Sequence, residues 1–326
     1  MKVAWFDTEK WERDYLKEKD FGFEIDFYES SLTAENSDKA EGYDAVSVFV
    51  SSQVTEEVVN SLDAELIACR STGFDHVDLE AASENSIKVC NVPEYGGTTV
   101  AEHCFGLILS LSRKIYYGVK KVENGDFSHE NLRGFDLRNK KLGVIGTGAI
   151  GQNVIRIANG FDMDVFASDP YPDHEAAEDL GFDYIELEEL VKKADIISIN
   201  CPLTDSTHHL LSKDEFDKME DTIIINTARG EIINTSELIK ALENGNVKAA
   251  GLDVLEEECY LEDDIEILGE LPDECDTETI LEDHLLMERD DVIVTPHNAF
   301  NSIEALHRIE DKTIENIENE ENIVNN

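Results

Sequence analysis

The run Leu142-Gly143-Val144-Ile145-Gly146-Thr147-Gly148-Ala149-Ile150-Gly151 constrains the fold most. A short apolar strand ends in GxGxxG, and a helical pattern over 150–160 follows at once. In such a strand–turn–helix the first glycine permits the tight turn and the second a close approach by pyrophosphate. The third lets the helix pack on the strand, with the phosphates over its first N–H groups. Bare GxGxxG is a weak signal; here a strand precedes it, a helix follows, and an acid stands at the expected distance. Asp169, eighteen residues after Gly151, ends the next strand pattern in Val165-Phe166-Ala167-Ser168-Asp169-Pro170. A carboxylate there would accept hydrogen bonds from a ribose 2′-OH and repel a 2′-phosphate. No Arg or Lys follows within ten residues, so the site favours NAD over NADP.

Around this motif, apolar β-branched runs alternate with helical patterns. Strands are expected at 3–6, 24–28, 45–50, 66–69 and 87–90, then at 142–145, 164–167, 196–199, 222–225, 249–252 and 292–294. Helices are expected at 55–62, 100–117, 150–160, 187–193, 236–243 and 302–317. Continuous apolar strands between amphipathic helices indicate α/β architecture with parallel sheets covered on both faces. The 326 residues suffice for two domains. The break between the two series falls near 95–140. The stretch 255–291 interrupts the rhythm with 17 acidic residues and one basic residue, and reads as a partly ordered insertion.

Charge excludes several partners. Lys and Arg number 27 against 73 Asp and Glu, a net charge of −46. Such a surface repels nucleic acid and anionic lipid. No run of 18 apolar residues and no signal pattern occurs, so the chain reads as soluble and cytoplasmic. The six cysteines (Cys69, Cys90, Cys104, Cys201, Cys259 and Cys275) form no CxxC pair and read as free thiols, with no metal site expected. The charge also raises the expectation of a high-salt cytoplasm, although 18 lysines against 9 arginines is unlike a salt-adapted composition. An ordinary acidic cytosolic enzyme is the other reading.

Three segments place polar groups just after strand patterns, where ligands bind in open α/β sheets. They are Asn226-Thr227-Ala228-Arg229-Gly230, Gly251-Leu252-Asp253-Val254-Leu255-Glu256-Glu257-Glu258 and Thr295-Pro296-His297-Asn298-Ala299-Phe300. Singly, an Arg after a strand is more often a surface ion pair and a lone His more often structural. Converging, Arg, Glu and His would bind an anionic substrate and supply a tuned proton donor.

With the glycine motif, these segments resemble the NAD-dependent D-isomer-specific 2-hydroxyacid dehydrogenases, most closely the D-lactate dehydrogenase branch. The similarity includes Arg70-Ser71-Thr72-Gly73-Phe74-Asp75-His76-Val77-Asp78, Asn91-Val92-Pro93-Glu94-Tyr95 and Ala101-Glu102-His103. The resemblance implies a Rossmann-type cofactor domain at 100–295 and a flavodoxin-like substrate domain made of 1–99 and 296–326, with a cleft between them. It implies His297 as general acid/base, Glu258 as its carboxylate partner (Glu256 is the alternative) and Arg229 as the substrate-binding cation. Thr72 and Gly73 would hold the substrate carboxylate; Phe49, Tyr95 and Phe300 would shape its side-chain pocket. The cofactor residues would be Gly146, Gly148, Ala149, Ile150, Gly151, Asp169, Thr227 and Asp253, with Asp253 beside the nicotinamide. The family is usually dimeric, so a homodimer is expected.

The resulting expectation is reduction of pyruvate to D-lactate with NADH. Ser71-Thr72, Gly96-Gly97 and Phe49 depart from the best-known lactate enzymes. Another small 2-keto acid, such as hydroxypyruvate or a branched-chain keto acid, therefore stays open. A non-catalytic NAD(H)-sensing scaffold is the third reading, weighed against by the intact Arg229, Glu258 and His297.

Overall fold

Strands that are apolar on both faces must be covered on both faces, and the chain does this twice. The computed structural model describes residues 1–256, 258 and 277–325, which divide into two compact units. One comprises Met1–Tyr95 and Asn301–Asn326, the other Gly96–Phe300.

The first unit holds β1 (Lys2–Trp5), α1 (Lys10–Lys17), β2 (Glu24–Phe27), β3 (Ala45–Val48), α2 (Glu56–Ser61), β4 (Leu66–Cys69), α3 (Leu79–Glu84) and β5 (Lys88–Cys90). Its five parallel strands run in the order β2-β1-β3-β4-β5, the flavodoxin-like winding. Ala4, Val46, Ile67 and Val89 face one layer with Val58, Val59 and Ala82. Val3, Trp5, Ala45 and Leu66 face the other with Leu16 and with Ile314 and Ile317 of the last helix, Ile303–Asn319. Burying such a side chain contributes roughly 1.5–3 kcal/mol.

A buried cation pins the carboxyl ends of these strands. Arg70, only 1% exposed, donates to the Phe6 carbonyl at 2.7 Å and to Ser47 Oγ at 3.0 Å. Its Nε lies 3.5 Å from Glu12 and 3.7 Å from Glu310. Burial drives the Glu310 carboxyl well above the usual range, and the Arg70 charge opposes that rise. Leaving one member of such a cluster unpaired costs about 3–5 kcal/mol, so Arg70 serves as scaffold for the loop that it begins.

The second unit holds α4 (Gly97–Ser112), α5 (Ile115–Glu123), β6 (Lys141–Ile145), α6 (Ala149–Gly160), β7 (Asp164–Ser168), α7 (His174–Leu180), β8 (Asp183–Tyr184), α8 (Leu187–Lys193) and β9 (Ile196–Ile199). It continues with α9 (Lys213–Phe216), β10 (Thr222–Asn226), α10 (Thr235–Asn244), β11 (Val247–Leu252), α11 (Thr277–Met287) and β12 (Val292–Val294). Its seven parallel strands run β12-β11-β10-β9-β6-β7-β8, the Rossmann winding, whose direction reverses between β6 and β9. Leu142, Val144, Ile223 and Ile225 pack into one layer, and Ile145, Ile197, Ile199 and Ile224 into the other. The sheet is thus apolar on both sides.

The helix expected over 100–117 is two helices. The Ser112 carbonyl accepts the Phe135 N–H at 2.9 Å instead of a helical partner. Gly134 packs so tightly there that a Cβ would lie 2.1 Å from the Ser112 oxygen. Lys114 then turns left-handed at φ 53° before α5 begins. Of the acidic stretch 255–291, residues 257 and 259–276 lie outside the described residues, as do Cys259 and Cys275. Cys69, Cys90, Cys104 and Cys201 are free thiols, and burial pushes Cys90 and Cys104 up to about 12. Among the described residues no helix is long and apolar enough to cross a membrane.

Candidate active site

Every polar group expected at the site in the second unit follows the carboxyl end of a strand. The glycine turn leaves β6, Asp169 follows β7, Thr227 and Arg229 follow β10, Asp253 follows β11 and His297 follows β12. That is where a parallel sheet presents loops to a ligand.

The glycine turn is built from close approaches. Gly146 has φ 89°, and a Cβ on it would lie 2.8 Å from the backbone of Asn200 and Cys201, which follow β9 across the winding switch. A Cβ on Gly151 would lie 2.1 Å from the Gly146 oxygen, so α6 rests directly on the turn. Gly148 differs: a Cβ there meets nothing within 4 Å. The first two glycines are demanded by the protein's own packing, whereas Gly148 borders open space before the first turn of α6, where Ala149 and Ile150 lie. Asp169 Oδ2 accepts from Thr147 N at 2.7 Å and Thr147 Oγ1 at 3.0 Å, and Oδ1 accepts from Tyr171 N at 2.8 Å. Thr227 Oγ1 is buried and finds no hydrogen-bond partner among the described residues. Open space over a glycine, an aligned helix start, a strand-end carboxylate and an orphaned hydroxyl suit a dinucleotide.

The residues after β10–β12 form a second set. Asn226 shapes the turn bearing Arg229: its Oδ1 accepts from Ala228 N at 3.0 Å, and its amide donates to the Arg229 carbonyl at 2.8 Å. Gly230 sits where a Cβ would lie 2.0 Å from the Leu255 carbonyl group, so only glycine lets this turn touch the segment leading to Glu258. His297 Nδ1 lies 2.6 Å from Glu258 Oε1, and Glu258 Oε2 accepts from Leu255 N at 3.1 Å. Burial pulls the His297 pKa down; the hydrogen bond and charge of Glu258 pull it up, Arg229 opposes, and the net result is a raised value.

Asp253 lies beneath that histidine. It is 1% exposed, and its carboxylate accepts from Thr295 Oγ1 at 2.5 Å, Asn298 N at 3.0 Å and Ala299 N at 2.8 Å, with His103 Nε2 at 3.3 Å. Burial raises its pKa, but these donors outweigh it and leave the value lowered. Its backbone carbonyl takes the His297 N–H at 2.8 Å. Asp253 thus holds the turn in which His297 adopts φ 44°, a left-handed conformation costing roughly 1–2 kcal/mol.

Glu256 turns elsewhere. Its Oε1 lies 2.5 Å from His209 Nε2, and its Oε2 accepts from Thr235 N at 3.2 Å. Among the described residues, His208, His209 and Glu256 group three atoms that could hold a metal ion. Asn234 Oδ1 accepts from Glu237 N, so its amide donates to His209 Nδ1 at 3.2 Å. His209 Nε2 must then carry the proton directed at Glu256, which leaves it no lone pair for a metal.

Of the remaining expected residues, Phe300 closes the second unit and is half-buried. Phe49, Thr72, Gly73 and Tyr95 belong to the first. Phe49 follows β3 with its N–H on Asp7 at 3.0 Å. Thr72 is exposed, its Oγ1 donating to the Val92 carbonyl at 2.9 Å, while the Asn91 amide donates to its carbonyl at 2.7 Å. The Gly73 carbonyl accepts from Ser71 Oγ at 2.6 Å, and that of Tyr95 from Arg308 Nε at 2.9 Å. The sequence motifs assign no role to Asn226, Gly230, His103 or Thr295. A polar Asn closing the apolar run of β10 was the one available signal.

Comparison with known proteins accounts for this arrangement. Residues 105–299 match the family described as D-isomer specific 2-hydroxyacid dehydrogenase, NAD binding domain. The D-lactate dehydrogenase of Escherichia coli strain K12 is 37% identical over 330 residues, covering 98% of this chain and 96% of that protein. The apo structure of the Escherichia coli enzyme superposes with a TM-score of 0.86 at 35% identity, over 99% of this chain and 100% of that one. D-lactate dehydrogenase from Aquifex aeolicus, complexed with NAD and lactic acid, gives 0.85 at 30% identity over 99% of each chain. With two parallel sheets wound as described and matches over nearly its whole length, the chain belongs to the D-isomer specific 2-hydroxyacid dehydrogenases, NAD-dependent oxidoreductases.

Proposed function

We propose that the protein is a D-lactate dehydrogenase, reducing pyruvate to D-lactate with NADH. The hydrogen-bonded pair of His297 and Glu258, with the charge of Arg229 acting on the same imidazole, carries this reading. NADH, when bound, supplies the hydride. His297, held protonated by Glu258, donates its Nε2 proton to the substrate's keto oxygen; Glu258 stabilises the imidazolium and fixes its orientation. Arg229 binds the substrate anion and stabilises the negative charge that grows on the keto oxygen. The N–H groups of Thr72 and Gly73 bind the carboxylate, and Phe49, Tyr95 and Phe300 select the side chain. The reverse oxidation uses neutral His297 as the base.

The protein is further proposed to be a cytoplasmic homodimer. Its free thiols suit a reducing compartment. Ile115, Val119 and Val122 leave an apolar stripe about half exposed on α5 at helical spacing, suited to a second copy. Sedimentation as a monomer at micromolar concentration would refute the dimer.

Turnover of NADH with a panel of 2-keto acids tests the assignment. Pyruvate should give the highest kcat/KM, and His297→Asn should lose about 10²–10⁴-fold in kcat while binding NADH normally. Preference for hydroxypyruvate or a branched-chain keto acid would move the substrate within the class. NADH binding without turnover of any member would leave the sensing scaffold.

A further inference from the structure

His103 has no place in the mechanism above, yet it touches the support of the catalytic histidine. Its Nε2 lies 3.0 Å from Thr295 Oγ1 and 3.3 Å from Asp253 Oδ1, and Thr295 Oγ1 is itself 2.5 Å from Asp253 Oδ1. The Thr295 hydroxyl has one proton to give. Asp253 is an ionised carboxylate and can only accept, so that proton points at Asp253. Thr295 can then only accept from His103, and His103 Nε2 must carry a proton.

We propose that His103 is a positioning residue whose Nε2–H donor latches Asp253 and Thr295 and thereby fixes the turn presenting His297. Two observations support the latch. Asp253 holds the turn at three further points, through its carbonyl on His297 N and its carboxylate on Asn298 N and Ala299 N. The left-handed His297 depends on such restraint. The platform beneath His103 is rigid: one turn further along α4, Leu107 Cβ would stand 3.0 Å from a Cβ on Gly251, so the helix is seated directly on β11. His103 joins that seated helix to the catalytic turn.

The proposal rests on His297 as the proton donor, and its test has a readout independent of turnover. Nitrogen-15 correlation spectra of histidine-labelled wild-type protein should show His103 carrying a proton on Nε2; a neutral Nδ1–H tautomer would overturn the latch. In kinetics, His103→Leu should lower kcat about tenfold or more while changing the KM for NADH less than about twofold, as expected for losing a donor to a charged acceptor. His103→Gln, which can place an N–H near the lost Nε2, should recover kcat to within about threefold of wild type. Unchanged kcat in His103→Leu, or equal kcat and melting losses in both variants, would reduce His103 to packing and overturn the proposal. Inactivity of the wild type on every keto acid would refute the functional reading instead, leaving the tautomer to decide the latch.

Discussion

His297 Nδ1 stands 2.6 Å from Glu258 Oε1, and this contact reverses the effect of burial on the imidazole. Burial alone would favour the neutral ring. The adjacent carboxylate outweighs it even against the opposing Arg229 charge, so the folded protein holds the proton above the ordinary histidine range.

A pH dependence with a definite sign follows. On the proposed mechanism keto-acid reduction needs protonated His297, so its kcat should fall as pH rises through the raised pKa, above 6.5. Glu258→Gln removes the charge that raises it and should move the falling limb down by roughly one unit or more. Oxidation of the D-hydroxy acid needs the neutral ring, so its rising limb should shift to lower pH by the same amount. Profiles of kcat in both directions check this; superimposable limbs in wild type and variant would detach Glu258 from the proton on His297.

Cofactor choice should depend on Asp169. Wild type is expected to prefer NADH to NADPH in kcat/KM, and Asp169→Ser to narrow the ratio by roughly ten- to hundredfold, the value of hydrogen bonds to a charged group. Because Asp169 also anchors Thr147 N and Tyr171 N, the gain with NADPH should stay below the wild-type rate with NADH. Equal efficiency of the wild type with both cofactors would refute the assignment.

Two glycines should respond oppositely to the same methyl group. In Gly230→Ala the Cβ would meet the Leu255 carbonyl group at 2.0 Å, forcing apart the turn of Arg229 and the segment leading to Glu258. A stability loss of about 1–3 kcal/mol and a fall in kcat are expected. In Gly148→Ala the Cβ meets nothing of the protein, so the melting temperature should hold while NADH binding weakens. Thermal melts with NADH titrations distinguish the two; a destabilised Gly148→Ala with normal NADH affinity would contradict the placement of the cofactor there.

Local rules made most of the sheets legible. Runs such as Ile223–Ile225 are apolar throughout, and such a run suits a strand covered on both sides. The two-residue β8 is too short to carry a periodicity, and the break after Ser112 has no local signal because its cause, Phe135 N with Gly134, lies beyond the helix. The same limit governs the site. Arg229 and His297 follow strand ends closely, and the resemblance, not residue type alone, singles them out together with Glu258. In the run Glu256-Glu257-Glu258, the resemblance points to Glu258 with Glu256 as the alternative; the fold pairs Glu258 with His297 and turns Glu256 to His209. His103 lay hidden in an apolar helix pattern, because its partners Asp253 and Thr295 are distant in sequence.

The acidic surface gives the last prediction: stability and activity should rise with salt, as adaptation to a high-salt cytoplasm requires. With 73 acidic against 27 basic side chains, most carboxylates have no cation to pair with. The exposed pairs that do form, such as Lys192 with Glu188 at 2.8 Å, contribute only about 0–1 kcal/mol each. Self-repulsion of the −46 charge therefore outweighs pairing at ordinary ionic strength, where the Debye length is about 8–10 Å. At molar salt that length falls to roughly 3 Å, and both effects are screened; the larger one, repulsion, loses more. Stability should therefore rise with KCl. The lysine-to-arginine ratio does not alter this sign, since it leaves the net charge unchanged. Thermal unfolding and NADH turnover across a KCl series from dilute buffer to molar concentrations decide it. Salt adaptation requires a melting temperature that continues to climb together with activity. Full activity in dilute buffer that declines as KCl increases, or a flat melting profile, would identify an ordinary acidic enzyme and leave the dehydrogenase assignment intact.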